Sequence, residues 1–389
     1  MTALRVLFVD DETRVLEALE RVLLDLEESW QMCFLSSGEA ALNELSRQQY
    51  DVVVCDLRMA GMDGVALLSR VAEVHPRTAR LVLSGHSDEE AALKMVHVAH
   101  QFLAKPCAAA TLHQVIARTA QLTQLLPDRK LQTLVGQVGA LPSPPQFHRE
   151  LTALVEREQA GGSAAELAGL IKRDPAMTAK LLQVSSSAFF NTSASVADVE
   201  TAIMRLGFRT LRNLSRALCG IVPARPSALP TVTAVEALQQ RALRVAQLAS
   251  RMARLPEDAS AAYIAGLLSN VGELLLISAA PERLYATQAE AARTGAASHV
   301  AELRIWGVTH AEIGAYLLGL WGLPFQIVEA VANHHAPARG DDDRLGLPQL
   351  VWLASCIESG EEPAPELLHR FGAEELFATQ RRAFQEVSP

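Results

Sequence analysis

Short apolar runs alternate with amphipathic segments along the first 120 residues. Residues 4–9, 51–55, 81–83 and 101–104 form the apolar runs, which are too short for helices. The run VVVC at 52–55 is apolar throughout, as in a strand that is buried on both faces. Helical periodicity occupies segments near residues 38–48, 64–74, 88–98 and 109–124. This order predicts a parallel sheet that is covered by helices on both faces.

The pattern changes after about residue 125, where strand patterns disappear and Ala/Leu-rich helical segments follow. The stretch LPDRKLQTLVGQVGALPSPP at 126–145 is a helical segment that stops at prolines, as expected of a junction. We predict an α/β domain over 1–122, a helical linker over 123–142, an all-helical domain over 143–360 and a tail over 361–389. We expect the last fifteen or so residues to be only weakly structured.

Composition and charge narrow the class of protein. The 389 residues carry a formal net charge of −9, which argues against coating of nucleic acid or of an anionic membrane. The five cysteines are scattered and form no CxxC pair, as expected of reduced thiols. The N-terminus has no signal-peptide pattern, and no uncharged stretch reaches the ~20 residues of a membrane span. We therefore expect a cytoplasmic protein without a membrane segment.

Charged and polar residues follow the predicted strands where each strand ends. Asp10 and Asp11 follow the first run, Asp56 ends the second, Ser84 ends the third and Lys105 follows the fourth. The carboxyl ends of parallel strands meet at one edge of a sheet, where ligands bind. Three carboxylates there call for a divalent cation, and oxygen ligands favour Mg²⁺. Asp56 could then attack a phosphohistidine, with the hydroxyl and the ammonium stabilising the phosphoryl oxygens.

The same residues lie in motifs that resemble the response regulator receiver family. The motifs are VLFVDDE (6–12), DLRMAGMDG (56–64), LSGHSD (83–88) and FLAKP (102–106), in order along the whole first domain. The resemblance implies a flavodoxin-like, doubly wound sheet of five parallel strands and a sensor histidine kinase as phosphodonor. Ala60 departs from the family, which usually has proline there; we interpret the change as a looser turn.

The receiver resemblance also implies a role for each site residue. Asp56 is the expected phosphoacceptor, and with Asp10 and Asp11 it forms the expected Mg²⁺ pocket. Ser84 is the expected switch hydroxyl and Lys105 the phosphate contact. Phe102 holds the aromatic switch position and is expected to turn from an exposed to a buried rotamer on phosphorylation. That change should remodel the face made by the helices near 88–98 and 109–124, through which receivers commonly pair, so a homodimer is expected.

The helical remainder resembles the HDOD family, the HD-related output domain, between 134 and about 360. The matching segments are VGALPSPPQFHREL (138–151), LAGLIKRDPAMTAKLLQVSSSAFF (167–190), VETAIMRLGFRTLRNL (199–214) and THAEIGAYLLGLWGLPFQIVEAVANHH (309–335). Ser186 stands where asparagine is usual. The resemblance implies an all-α output domain related to the HD metal-dependent phosphohydrolases.

Several metal-ligand positions of the HD superfamily are replaced in this chain. Arg241 stands at the first histidine position, Ser269 and Asn270 at the His-Asp pair, and Ser355 near the late aspartate, whereas His310, His334 and His335 remain. Serine and asparagine are poor metal ligands, so a hydrolytic metal centre is not expected. Three histidines alone could hold one zinc ion. Adjacent residues on a helix point about 100° apart, however, so His334 and His335 need not converge, and helix capping is the favoured interpretation. We expect no cofactor in this domain.

A basic stripe is the remaining candidate feature of the helical domain. Arg205, Arg209, Arg212 and Arg216 recur at helical spacing and could dock an acidic partner or phosphates. A solvated helix face explains the same pattern and is favoured, and Gly207 could interrupt the helix.

The leading interpretation is a phosphorylation-controlled signalling adaptor with an unidentified downstream protein partner. Its chief alternative is a receiver-controlled HD phosphodiesterase for cyclic dinucleotides, which the replaced metal ligands oppose. The third class is a DNA-binding transcription regulator, for which only the arginine stripe offers a basic surface.

Overall fold

The computed structural model describes residues 3–27, 29–85, 93, 95–122, 126–157, 164–186, 198–219, 229–337 and 344–387. The amino-terminal part is a sheet of five parallel strands in the order β2-β1-β3-β4-β5. The strands are β1 Arg5–Val9, β2 Gln31–Leu35, β3 Val52–Asp56, β4 Ala79–Ser84 and β5 Gln101–Ala104. Every residue of β3 and β4 is buried, as the apolar runs predict. The predicted five-stranded parallel sheet is confirmed.

Four helices connect and cover these strands. They are α1 Thr13–Leu26, α2 Gly38–Arg47, α3 Gly64–Val74 and α4 Ala109–Gln121. The Ser37 and Asp63 side chains accept hydrogen bonds from backbone N–H groups in the first turns of α2 and α3, which fixes where both helices begin. The helix predicted near 88–98 falls largely outside the described residues; residues 95–98 form a turn.

Every described element after residue 126 is helical, as predicted. The helices are α5 Arg129–Gly136, α6 Pro145–Arg157, α7 Ala164–Ile171, α8 Pro175–Ser185, α9 Val199–Cys219, α10 Leu229–Met252, α11 Pro256–Leu268, α12 Val271–Ala279, α13 Pro281–Thr294, α14 Ser298–Trp306, α15 His310–Leu320, α16 Phe325–Asn333, α17 Leu347–Ser359, α18 Pro365–Arg370 and α19 Glu374–Val387.

The carboxyl-terminal segment differs from the weakly structured tail that the sequence suggests. Helices α18 and α19 fill most of it, and α19 packs against α10 and α17. Phe371 and Phe377 are both buried in the core. Two aromatic anchors hold the segment in place.

One stretch among the described residues, Asp258–Ala279, is long and apolar enough for a membrane span by length and composition. Of the 18-residue window in this stretch that is apolar enough, 89% is buried inside the protein, as expected of a core helix in a globular domain. The stretch is therefore weak evidence for a membrane segment.

The helical domain packs against the β4–β5 side of the sheet. Gln101 on β5 donates a hydrogen bond to the carbonyl of Leu320 over 3.1 Å. Arg118 on α4 donates to the carbonyl of Leu323 over 2.6 Å. Gln183 on α8 donates to the carbonyl of His100 over 2.9 Å. The described part of the face that was expected to pair two receivers is thus in contact with the helical domain of the same chain.

The arginine stripe does not lie on one continuous helix. Gly207 adopts φ 70° and ψ 161° and kinks α9 between Arg205 and Arg209. Arg209 is exposed, whereas Arg212 is half-buried. The side chain of Arg216 lies outside the described residues. The stripe is therefore not the single helix face that the helical spacing predicts, because the kink changes the direction in which Arg205 projects relative to Arg209 and Arg212.

Candidate functional site

The acidic pocket forms at the carboxyl ends of β1 and β3, where the sequence places it. Asp10 and Asp56 are both buried. The Lys105 ammonium lies 2.6 Å from a carboxylate oxygen of Asp10 and also pairs with the Asp56 carboxylate. The Asp11 carboxylate accepts a hydrogen bond from the backbone N–H of Ala60 over 2.9 Å. Asp10, Asp11, Asp56 and Lys105 are therefore brought to one sheet edge.

Burial and charge act in opposite directions on the two central groups of this pocket. Burial raises the pKa of Asp56, with the nearby Asp10 carboxylate adding to it, although Lys105 pulls the pKa downward. Burial acts to lower the pKa of Lys105, but its bonds to Asp10 and Asp56 outweigh burial, and that pKa is raised. The carboxylates of Asp10, Asp11 and Asp56 together carry more negative charge than the single Lys105 ammonium neutralises. Such an excess of oxygen donors suits a hard cation, so Asp10, Asp11 and Asp56 fit Mg²⁺.

Ala60 contributes a hydrogen bond that the sequence analysis missed. Its backbone N–H orients Asp11, and a proline at this position would have no N–H to donate. The departure from the family pattern therefore supplies a donor to the pocket. The Asp56 carboxylate also accepts from the backbone N–H of Arg58 over 2.8 Å. Gly64 lets the loop return close to Asp56, since a Cβ there would lie 2.2 Å from the Asp56 carbonyl oxygen.

Ser84 and Phe102 lie next to this pocket. Ser84 ends β4 and is fully buried. Phe102 lies on β5 opposite Val82 and is also buried. Of the two orientations expected for Phe102, exposed and buried, the structure therefore has the buried one. Gln101, the residue before Phe102 on β5, contacts the helical domain.

A second polar site lies in the helical domain. An open pocket of about 440 Å³ is lined by Arg241, His334, His335 and Ser355, among others. Ser269 and Asn270 lie between α11 and α12. The Ser269 hydroxyl donates to the Gly266 carbonyl over 2.9 Å, and the Asn270 amide donates to Ser269. Both side chains thus make local hydrogen bonds at the position of the replaced His-Asp pair.

The three retained histidines converge, contrary to what the helical spacing suggests. One ring nitrogen from each of His310, His334 and His335 lies within 4.8 Å of the others. The physical reason is that α16 ends at Asn333, so His334 is its C-cap and His335 lies in the following turn. The 100° angle between neighbouring residues applies only inside a regular helix. The expectation that the two need not converge is therefore wrong for this chain.

Three glutamates around these histidines were not singled out in the sequence. The Glu302 carboxylate pairs with the Nδ1 of His310 over 2.8 Å, and Glu273 lies 3.6 Å from its Nε2. Arg241 binds Glu273 over 3.3 Å and Glu358 over 3.1 Å. They can be identified only from the tertiary structure, because they lie on α12, α14 and α17, far apart in the sequence.

The histidines differ in their preferred protonation state. Burial would lower the pKa of His310, but Glu302 and Glu273 outweigh it, and the pKa is raised. Burial, followed by the charge of His310, lowers the pKa of His334 to about 3. Burial and its histidine neighbours lower the pKa of His335 in the same way. His334 and His335 are therefore neutral imidazoles at neutral pH.

Comparison with known families agrees with both resemblances. The response regulator receiver domain matches residues 6–117, and the HDOD domain matches residues 141–337, which is just over half of the chain. The chain belongs to the HDOD domain family. With its receiver, this HDOD protein has the architecture of a response regulator of a two-component system, and a receiver implies a phosphodonor such as a histidine kinase.

Individual relatives cover only parts of this HDOD protein. An uncharacterized protein of Treponema pallidum is 28% identical over 259 residues, covering 65% of this chain and 49% of the relative. The hydrogenase transcriptional regulatory protein HoxA of Cupriavidus necator is 41% identical over 103 residues, covering 26% of this chain and 21% of the relative. The chain thus spans about half the length of the first curated relative and about a fifth of the second.

Among solved structures, the MmoQ response regulator of Methylococcus capsulatus is similar at 25% identity and a TM-score of 0.46. The match covers 62% of this chain and 98% of that chain.

Two buried basic side chains join the receiver to the helical part of the chain. Lys180 of α8 donates to the Val96 carbonyl over 2.9 Å and lies 3.9 Å above the Trp321 ring. Arg80 of β4 donates to the Gly136 carbonyl over 2.7 Å and contacts His100. Buried charges are costly unless they are hydrogen-bonded, so these contacts depend on both domains remaining docked. Neither residue was singled out in the sequence, because each is an isolated basic residue there.

Proposed function

We propose that this response regulator accepts a phosphoryl group on Asp56 from a sensor histidine kinase, and that phosphorylation changes how its HDOD domain contacts a protein partner. The observation that carries the proposal is the buried pairing of Lys105 with both Asp10 and Asp56. This geometry presents a carboxylate nucleophile beside a fixed cation, as phosphoryl transfer requires.

The chemistry follows from the positions of these side chains. An Asp56 oxygen attacks phosphorus, the bond from phosphorus to the donor imidazole nitrogen breaks, and an acyl phosphate forms. Lys105 stabilises the phosphoryl oxygens. Asp10, Asp11 and Asp56 would hold Mg²⁺, which supplies further neutralisation of the phosphoryl charge.

A short path connects this chemistry to the HDOD domain. The Ser84 hydroxyl, at the end of β4, would hydrogen-bond a phosphoryl oxygen. In the sheet register Ser84 pairs with Ala104, two residues from Phe102. The neighbouring Gln101 donates to the Leu320 carbonyl of α15. A shift at β5 would therefore bias two packing arrangements of the domains.

The HDOD domain is proposed to act as a binding module without hydrolytic activity. Arg241 occupies a ligand position with a cation that is already paired to Glu273 and Glu358. Ser269 and Asn270 make local hydrogen bonds where a hydrolase would hold bridging metal ligands. Cyclic dinucleotides incubated with purified protein and Mn²⁺, Fe²⁺ or Mg²⁺ should remain intact. Turnover that is lost in His310→Gln would instead support the phosphodiesterase alternative.

The phosphoacceptor is tested with acetyl phosphate and Mg²⁺. We expect one acid-stable, base-labile phosphoryl group on the wild type and none on Asp56→Asn, because an amide is not a nucleophile here. Asp25→Asn is the matched control, since Asp25 is exposed on α1. Label that persists in Asp56→Asn would refute the assignment.

A second experiment addresses the output. Affinity capture with beryllofluoride-treated and untreated protein should recover different partner sets, and Asp56→Asn should give the same set under both conditions. Identical partner sets for the treated and untreated wild type would contradict control by the receiver.

A further inference from the structure

The proposed function leaves the histidine cluster of the HDOD domain without a role. His310 and His334 are buried, His335 is half-buried, and a ring nitrogen of each lies within 4.8 Å of the others. We propose that His310, His334 and His335 form a site for a single divalent transition-metal ion, with Glu273 as a neighbouring oxygen donor. This inference departs from the sequence-based expectation that the helical domain holds no metal.

The surroundings of His310 direct its Nε2 into the cluster. Glu302 accepts from the backbone N–H of His310 over 2.8 Å and pairs with its Nδ1 over 2.8 Å. The Nε2 then faces the Nε2 of His335 at 3.1 Å and a carboxylate oxygen of Glu273 at 3.6 Å. A carboxylate on the far nitrogen of a histidine is the usual support of a metal ligand, because it fixes the ring and makes the free nitrogen more basic.

His334 presents a nitrogen that has no partner. Its Nδ1 donates to the Val331 carbonyl over 2.7 Å, so its Nε2 carries a lone pair. That Nε2 is buried and has no hydrogen-bond partner among the described residues. A buried acceptor without a partner is unfavourable, and a bound cation would satisfy it.

The third ligand is held in place by aromatic stacking. The ring of His335 stacks on His299 with centroids 4.1 Å apart and an angle of 14° between the planes. Without a metal, a proton on the Nε2 of His310 would bridge to the Nε2 of His335, but the Nε2 of His334 would still have no partner among the described residues. One ion bound to all three nitrogens accounts both for the close approach of His310 and His335 and for the unpaired Nε2 of His334.

The charge around the cluster also favours a cation. Glu302 and Glu273 place negative charge on both sides of His310. Arg241, the nearest fixed cation, is bonded to Glu273 and Glu358, which reduces its repulsion of an ion. His334 and His335 also line the open pocket, so an ion could enter from solvent and keep a coordination position for water.

The ligand set selects the class of ion. Imidazole nitrogens suit Zn²⁺ and other late transition metals, whereas Mg²⁺ and Ca²⁺ prefer oxygen ligands. In a tetrahedral zinc site, nitrogens bound at 2.0–2.1 Å lie roughly 3.3 Å apart, so small side-chain rotations would close the cluster around an ion. Ser269 and Asn270 offer no bridging carboxylate, so the site accommodates one ion and not a hydrolytic pair.

The test is titration of metal-stripped full-length protein with Zn²⁺ by calorimetry, with excess Mg²⁺ present to occupy the receiver pocket. One equivalent of Zn²⁺ should bind to the wild type. His334→Gln and His335→Gln should lose this binding, and Glu302→Gln should weaken it by about 10- to 100-fold because only the supporting carboxylate is changed. His369→Gln, on the surface, should retain the equivalent, whereas His299→Gln, which removes the ring stacked on His335, should weaken the binding.

Circular dichroism checks that each variant is folded. If the ligand variants do not fold, Co²⁺ added to the wild type decides the question, because a four-coordinate site gives intense visible absorption and six-coordinate Co²⁺ gives weak absorption. Intense bands support the site. Absence of Zn²⁺ binding by the wild type, equal binding by all variants, or only weak Co²⁺ absorption would overturn the proposal.

Discussion

Docking of the receiver on the helical part depends on a glycine at the end of α5. The Gly136 carbonyl accepts a hydrogen bond from the buried Arg80 guanidinium over 2.7 Å. A Cβ at position 136 would lie 1.9 Å from the carbonyl oxygen of Pro76, in the loop before β4. The neighbouring atom is backbone and cannot rotate away, so Gly136→Ala must displace α5 from the receiver.

The size of the effect follows from these two contacts. Forcing extra volume into a packed region costs about 1–3 kcal/mol, and a hydrogen bond to a charged group contributes about 1.5–3 kcal/mol. Alanine recovers up to ~1 kcal/mol through its higher helix propensity. We therefore expect Gly136→Ala to lower the free energy of unfolding by about 1.5–5 kcal/mol.

Urea denaturation followed by circular dichroism measures this change, and limited proteolysis over 123–142 reports whether the domains separate. Gly169→Ala is the matched control, because a Cβ at this position on α7 would meet no atom within 4 Å. It should be neutral or stabilising by up to ~1 kcal/mol. If Gly136→Ala stays within about 0.5 kcal/mol of the wild type, the close approach of α5 to the receiver is not as described.

Three further outcomes are expected. Beryllofluoride should change hydrogen exchange over 88–145 in the wild type and much less in Ser84→Ala, whereas changes confined to the loops around Asp56 would contradict transmission through β5. Lys180→Met should lower the free energy of unfolding by about 1–3 kcal/mol, because Val96 O and Gln183 Oε1 lose a buried donor; an unchanged urea midpoint would argue against a docked lysine. Burial, with Arg80 and Lys180 nearby, lowers the pKa of His100, so below about pH 6.5 the unfolded chain binds a proton that the folded chain does not bind. The free energy of unfolding should therefore fall by up to ~1.4 kcal/mol for each pH unit below about 6.5. His100→Asn should reduce that slope in pH-dependent urea titrations, and an unaltered slope would show that His100 does not contribute.

The sequence predicts the receiver well because its signals are local. The runs at 52–55 and 81–83 are apolar on both faces, so they indicate central strands without tertiary information. Asp10, Asp56 and Lys105 are then placed together by a general rule, since the carboxyl ends of parallel strands share an edge. Strand β2 was not singled out by its own pattern; it is an edge strand that is only partly buried.

The HDOD site could be inferred in part only. Replacement of metal ligands by Arg241, Ser269 and Asn270 is visible position by position in the sequence. The convergence of the histidines is not, because it depends on α16 ending at Asn333 and on the turn that follows. The supporting Glu302 and the partners of Arg241 come from other helices, so no sequence spacing could have identified them.

The sequence alone thus determined the two domains, the parallel sheet and the acidic edge that holds Asp56, because hydrophobic periodicity and strand ends are properties of neighbouring residues. The tertiary structure alone decided which receiver face the HDOD domain covers, that Arg80 and Lys180 are buried at that contact, and that three histidines point at one another. These features depend on where helices end and on how closely the backbones of segments far apart in the chain approach each other. A pattern of apolar and polar residues does not specify such distances.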